Sequence, residues 1–237
     1  IKDPYIKAYI ELSLEKGWIK SAKPGYLTVY EASKVTELNL NNIGGRKEVA
    51  TLEGIKYFTG LERLSMNYTA VSLINLSQNV KLRYLGISEC SAPSLKIISP
   101  FLDEIYGKYA GNVSIEIDAP RLREIDLSYS GKLNSLDVSA CTNLKILKCG
   151  GCRLKTLDLA NNQNLELLWC GASGNLSLGW LDVSRNRKLT SLSCDQGATA
   201  ISKLYMWWSG GRDNIPVQLR GEDDFFVNAR TEILKNK

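Results

Sequence analysis

From Leu144 to Cys194 the chain repeats one phrase: LKILKCGGC, LKTLDLANN, LELLWCGAS, LGWLDVSRN and LTSLSCDQG. The first leucines fall at Leu144, Leu154, Leu165, Leu178 and Leu189, in steps of 10, 11, 13 and 11 residues. Two steps make a unit of about 21 to 24 residues. A unit of that length cannot bury its own apolar face, so successive units must stack. Within each LxxLxL phrase the apolar positions point inward and the intervening positions outward, as the period of two in a short strand requires. The repeat therefore specifies a solenoid, and it leaves function to the residues between the leucines.

The phrase extends in both directions, with interruptions. It begins as VTELNLNNI at Val35, passes an irregular piece through GIKYFTGL, and resumes at Leu61, Val71 and Leu82. Leu95 to Gly111 breaks the beat. Ser99 and Pro100 suit a helix start, and Phe101, Leu102, Ile105 and Tyr109 follow at helical spacing, so a helical insertion is predicted at about 99–110. The phase then resumes at Val113, Leu122 and Leu133. Before the array, DPYIKAYIELSLEK predicts a helix with Asp3 as cap, Pro4 in the first turn and Tyr5, Ile6, Tyr9, Ile10 and Leu12 on its apolar face. After it, SGGRDN reads as a loop, IPVQLRG as a short strand, and DDFFVNARTEILK as a final helix with Phe226, Ala229 and Ile233 on one face. The chain thus divides into a helical cap at 1–34, a solenoid at 35–208 and a strand–helix cap at 209–237 that hides the last apolar face.

Composition removes whole classes of chemistry. There is no histidine, which excludes the commonest general base, the serine–histidine triad and imidazole metal sites. An enzyme would need a pair of carboxylates about 5 to 10 Å apart across a cleft, and no arrangement of acids stands out from the repeat. The net charge of +5, from 30 basic and 25 acidic residues, is spread without a basic block, so nucleic acid is not an expected partner. No apolar run reaches the roughly 18 to 20 residues that span a bilayer. Ile1 is not an initiating methionine, which suggests a start inside a longer precursor with a signal peptide or lipid anchor removed.

The segment KSAKPGYLTVYEA has the skeleton of a calcium loop, with Gly25 at the sharp turn and Glu31 where the bidentate carboxylate would fall. Lys20, Ala22 and Pro24 occupy the first, third and fifth ligand positions and supply no side-chain oxygen. No bound ion is expected there. Taken together, EASKVTELNL, GIKYFTGLERLSM and LDVSACTNLKILKC resemble secreted or surface-displayed bacterial leucine-rich repeat proteins with nested 10/11-residue repeats of the form LxxLxCxxNxLxxLDLSxN behind a degenerate calcium-hand-like cap. The resemblance covers roughly Asp3 to Trp208. It implies an α/β repeat solenoid with short parallel strands, an extracellular or cell-surface location, and adhesion to host or neighbouring cells.

Three columns of residues stand out against the leucines. Cys149, Cys170 and Cys194 take the sixth position of their phrases and Cys90, Cys141 and Cys152 the ninth, so all six read as inward-facing fillers. Cys149 and Cys152 form a CGGC, but the repeat alone produces that spacing, and no second CxxC or histidine completes a zinc site. Strands about 4.8 Å apart also hold stacked cysteines too far apart for the usual bridge. Asp137, Asp158 and Asp182 form an acidic column, read as local backbone caps in preference to a cation strip. Trp169 and Trp180 fall at outward positions on alternate half-repeats, whereas Trp207 and Trp208, beside Tyr205, read as core under the terminal cover.

The expected function is a non-catalytic binding module without metal or cofactor, presenting a strand face to an unidentified protein on a host or cell surface. The candidate contact residues are Arg83, Tyr84, Lys145, Lys148, Glu166 and Trp169 along one face, with Trp180 and Asp182. The alternative is a carbohydrate-binding surface protein that uses the exposed tryptophans.

Overall fold

The computed structural model describes residues 19–23, 27–41, 52–171, 178–194, 201–207, 225–226 and 232–235, with Lys7, Ile10, Glu11, Ser13 and Leu14. It is a parallel β-solenoid, with a strand on each side of most coils. One side is a nine-stranded sheet in the order β1 (Glu37–Asn39), β2 (Arg63–Ser65), β4 (Tyr84–Gly86), β6 (Glu104–Tyr106), β8 (Glu124–Asp126), β10 (Ile146–Lys148), β11 (Leu167–Trp169), β13 (Ser191–Ser193) and β15 (Phe225–Phe226). The other side is split. It holds a four-stranded sheet of β3 (Leu73–Asn75), β5 (Ser94–Ile98), β7 (Ser114–Asp118) and β9 (Ser135–Asp137), and a three-stranded sheet of β12 (Trp180–Asp182), β14 (Lys203–Met206) and β16 (Glu232–Lys235). Thr156–Asp158, the half-repeat between β9 and β12, joins neither sheet.

The register is the repeat made visible. Leu38, Leu64, Leu85, Ile105, Ile125, Leu147, Leu168 and Leu192 are partners on successive strands, all within a continuous buried core. The first position of each phrase is buried as well, at Leu61, Leu82, Leu102, Leu122, Leu144, Leu165 and Leu189.

Three expectations from sequence are corrected. The helical insertion at about 99–110 does not form: Glu104–Tyr106 is a regular strand paired with β4 and β8. The disguise is Gly107 at the sixth, normally apolar, position. A Cβ there would lie 2.8 Å from Cγ1 of Ile87 and 2.9 Å from Cδ2 of Leu127, so flanking coils already fill the space. The phase on the other side runs through Ala92 and Asn112 rather than Leu95 and Val113; Asn112 is buried and donates to the Ala92 carbonyl at 2.5 Å, while Val113 is exposed. The final helix is replaced by β15 and β16, which extend the two sides by pairing with β13 and β14. The open edges of those strands offer unpaired N–H and C=O groups, and alternating segments such as TEILK satisfy them as strands. Ala229 and Trp208 lie outside the described residues.

At the N-terminal end, Lys7, Ile10, Glu11, Ser13 and Leu14 have helical backbone, and Ile10 is buried. The helix α1 (Val29–Ala32) follows, with a capping box between Thr28 and Glu31. Both oxygens of Glu31 are occupied: Oε1 accepts from the Ala22 N–H at 2.6 Å, and Oε2 from the N–H and hydroxyl of Thr28 at 2.8 Å. These bonds hold its pKa down to about 2. The carboxylate that would clamp an ion in a calcium loop instead ties two turns of the backbone together. Pro24 and Gly25 lie outside the described residues.

The ninth positions bind one coil to the one before. Asn162 donates from Nδ2 to the carbonyls of Val138 (3.0 Å) and Cys141 (2.8 Å), and Asn186 to those of Leu159 (3.0 Å) and Asn162 (2.8 Å). Asn79 does the same to Ile55 and Phe58, both at 2.9 Å. Cysteine fills the same role more weakly: the thiols of Cys90, Cys141 and Cys152 donate to Met66, Ile117 and Leu127 at 3.4, 3.5 and 3.3 Å. Asparagine and cysteine both serve here because each carries a compact donor; the carbonyls of Val138, Cys141, Leu159 and Asn162 already accept a backbone N–H of their own turn, and the asparagine donor fills the second lone pair.

Candidate interaction face

The nine-stranded side carries two outward columns. One runs Arg63, Tyr84, Glu104, Glu124, Ile146 and Leu167; the other runs Ser65, Gly86, Tyr106, Asp126, Lys148, Trp169 and Ser193. Most charges on this side are paired between neighbouring coils. Lys148 bonds Glu124 at 3.0 Å, Lys145 bonds Glu166 at 2.7 Å, and Lys108 lies 3.4 Å from Asp126. Asp126 is nearly buried and accepts from the N–H and hydroxyl of Ser128, and its charge raises the pKa of the Lys108 ammonium.

Beyond the strand ends the ladder continues into the turns. The N–H groups of Tyr68, Glu89, Tyr109 and Tyr129 donate to Ser88, Lys108, Ser128 and Gly150 of the next coil. This holds all four in the left-handed region, at φ 66, 55, 57 and 62°, and Gly151 follows in the same column at 77°. A non-glycine residue pays about 1 kcal/mol or more to sit there. In-register turns of this shape stand their side chains above one another. The rings of Tyr109 and Tyr129 stack with centroids 5.5 Å apart and planes 17° apart, and Trp169 meets Tyr129 edge-on at 5.7 Å and 74°.

Tyr129 and Trp169 meet although their strands, β8 and β11, are separated by β10. Gly150 and Gly151 supply the room. A Cβ on Gly150 would lie 2.8 Å from Cε2 of Trp169 and 2.3 Å from the Gly171 carbonyl oxygen, and one on Gly151 would lie 3.1 Å from Tyr129. The CGGC motif therefore matters for its glycines. Its cysteines are buried, and burial pushes the Cys152 thiol to about 12 and Cys149 well above its ordinary value. Neither is a thiolate near neutrality, so neither can act as nucleophile or soft-metal ligand there without opening the fold. All six cysteines of the chain are free and buried. Native protein is expected to take up no thiol-alkylating reagent at pH 7.5 and six equivalents in denaturant, counted by mass spectrometry. Labelling of Cys149 or Cys152 in the native state would overturn this account.

The candidate residues named from sequence divide between the two sides. Tyr84, Lys148 and Trp169 project from the nine-stranded sheet, and Arg83, Lys145 and Glu166 sit just before its strands. Arg83 is a corner tie: Nη1 donates to the carbonyls of Val80, Leu82 and Phe101, and Nε lies 3.5 Å from Asp103. Tyr84 is half-buried under Arg63, whose guanidinium lies 4.0 Å from the ring centre, and its pKa is raised by burial. Trp180 and Asp182 stand on the opposite side, on β12. Each aspartate of the acidic column accepts the N–H two residues on, from Ser139, Ala160 and Ser184, at 2.9 Å. Sequence reasoning missed Tyr106, Tyr109 and Tyr129. Tyr109 and Tyr129 are 20 residues apart, one coil, but the first fell within the supposed helix.

No family model matches the sequence, and no curated protein matches it. Among solved structures it resembles the functional domain of InlJ from Listeria monocytogenes, described as including a cysteine ladder, at 21% identity and a TM-score of 0.45. That alignment covers 86% of this chain and 50% of the other, so the chain spans half that neighbour's length. An internalin (inlF) from the same organism aligns at 15% identity and a TM-score of 0.26, covering 86% of this chain and 88% of its own.

Proposed function

We propose that the protein is a non-catalytic binding module that engages a protein partner through the outward face of its nine-stranded sheet. The observation that carries this reading is the run Tyr109, Tyr129 and Trp169, which crosses four coils beside a column of ion-paired charges. Aromatic side chains flanked by charges already paired to one another suit an interface, since the rings bury large area at low entropic cost and few ions are stranded. Tyr109 and Tyr129 are 58% and 45% exposed, so much of their area remains to be covered.

A chain without histidine, whose thiols are buried, lacks the commonest general base and exposes no thiol nucleophile. An extracellular or surface location and a role in adhesion fit the same picture, because buried thiols withstand oxidising surroundings. No described helix is long and apolar enough to cross a membrane.

The test is affinity capture from surface proteins of candidate host cells, followed by measurement on each captured partner. Combined Tyr129→Ala and Trp169→Ala is expected to weaken binding by roughly thirtyfold, about 2 kcal/mol. Trp180→Ala is expected to leave it unchanged. A partner held equally well by the double variant would place the interface elsewhere.

A further inference from the structure

The opposite side of the solenoid carries a feature that the proposed protein interface does not use. Among the described residues, Thr156–Asp158 adds no strand to either sheet, and β12 is an edge strand that pairs with β14 alone. Leu157 stays in the core, while Thr156 and Asp158 are exposed. The interruption leaves a cavity of about 340 Å³ between this half-repeat and β12, bounded by Thr156, Asp158, Trp180 and Arg185. A second, more open hollow of about 600 Å³ lies on the far side of Trp180, against Ser202, Lys203 and Tyr205.

Trp180 is the wall between the two. It is 55% exposed, and Tyr205 stands nearly perpendicular to it at 6.2 Å and 85°, which braces the ring and leaves much of its area open. Gly179, just before it, would place a Cβ in open space among the described residues, so it adds no side chain of its own to the second hollow. An exposed tryptophan in this setting is not core packing left over: the leucine columns beneath it, Leu181 and Leu204, are already fully buried.

We propose that the notch around Trp180 is a glycan-binding site that takes a neutral pyranose, stacked by its C–H face on the indole. The polar groups decide the ligand class. Asp158 and Asp182 repel a phosphate or sulfate polymer, while Arg185 in the first hollow and Lys203 in the second repel a cationic peptide. A ring bearing neutral hydroxyl groups can donate to the Asp158 carboxylate and accept from the Arg185 guanidinium on the same side of the indole, so it uses both signs of charge while its C–H face covers the ring. The cavity volume falls in the range of small-molecule sites, and an aromatic face with a few convergent polar groups is their usual composition.

The experiment uses the full chain on an array of neutral hexose and N-acetylhexosamine oligosaccharides, with sulfated and sialylated glycans alongside, followed by calorimetric titration of the glycans that bind. The expected result is binding of a neutral glycan with a dissociation constant of about 1 mM or tighter. Trp180→Ala weakens it about tenfold or more, Arg185→Ala weakens it to a lesser degree, and Trp169→Ala leaves it intact. Trp180 and Arg185 are both surface residues, so thermal melts of these variants should match the parent. Equal binding by Trp180→Ala, binding of anionic glycans alone, or no binding at about 1 mM would each overturn the proposal. The Trp169→Ala control keeps this outcome separate from the fate of the protein interface on the other side.

Discussion

Replacing Asn162 by leucine is expected to lower the free energy of unfolding by about 1 to 3 kcal/mol, although the two side chains have the same number of heavy atoms. The carboxamide is fully buried, and its Nδ2 donates to the carbonyls of Val138 and Cys141. Leucine would remove both bonds, and since each carbonyl keeps the backbone N–H of its own turn the cost is that of two ordinary hydrogen bonds, about 0.5 to 1.5 kcal/mol each. The Asn162 carbonyl also accepts from Asn186, so the damage should spread to the next coil. Urea unfolding gives the measurement. Asn161→Leu is the control, since Asn161 is exposed and makes one side-chain bond, to the Ser139 carbonyl. Asn162→Cys should recover part of the loss, because Cys141 already serves with a thiol one coil earlier. A midpoint for Asn162→Leu within the spread of the Asn161→Leu control would refute the ladder as a source of stability.

Gly150→Ala is expected to be the most damaging single methyl on the interaction face. The added Cβ would press to 2.3 Å from the Gly171 carbonyl oxygen and 2.8 Å from the Trp169 indole. Backbone cannot yield cheaply, so the coil must shift and the indole must leave Tyr129. Overpacking of this kind costs about 1 to 3 kcal/mol. The near-ultraviolet circular dichroism of the Tyr129–Trp169 pair should change with it, and so should partner binding. Gly179→Ala is the matched control, because its Cβ would meet nothing within 4 Å. If Gly150→Ala melts with the parent and keeps its aromatic signal, the glycine pair has no role in seating Trp169.

How far each feature could be read in advance follows from the range of the interaction behind it. Leu144, Leu154 and Leu165 announce their positions because burial selects the same apolar residue in every coil. The inward cysteines and the backbone-capping aspartates follow from the same columns. The phrase around Leu102 was hidden because Gly107 stands where a leucine is expected, and its explanation, the side chains of Ile87 and Leu127, lies one coil away on each side. The tail at Glu232–Lys235 was misread for a related reason. Its strand state depends on the free edge of β14, which has no local signature in EILK.

The repeat stack, the inward columns, the buried thiols and the absence of histidine chemistry are legible in the residues alone, because each rests on composition or on a period that one chain displays. Which outward residues meet is settled by the stacking of the coils. It separated Trp169 from Trp180 on opposite sides, committed Arg83 and Glu31 to backbone carbonyls and amides respectively, and joined Tyr109, Tyr129 and Trp169 across a glycine pair. The physical reason is that a strand face is assembled from residues one coil apart. Their contacts depend on turn dihedrals and on empty space at a neighbour, neither of which leaves a periodic mark in the chain.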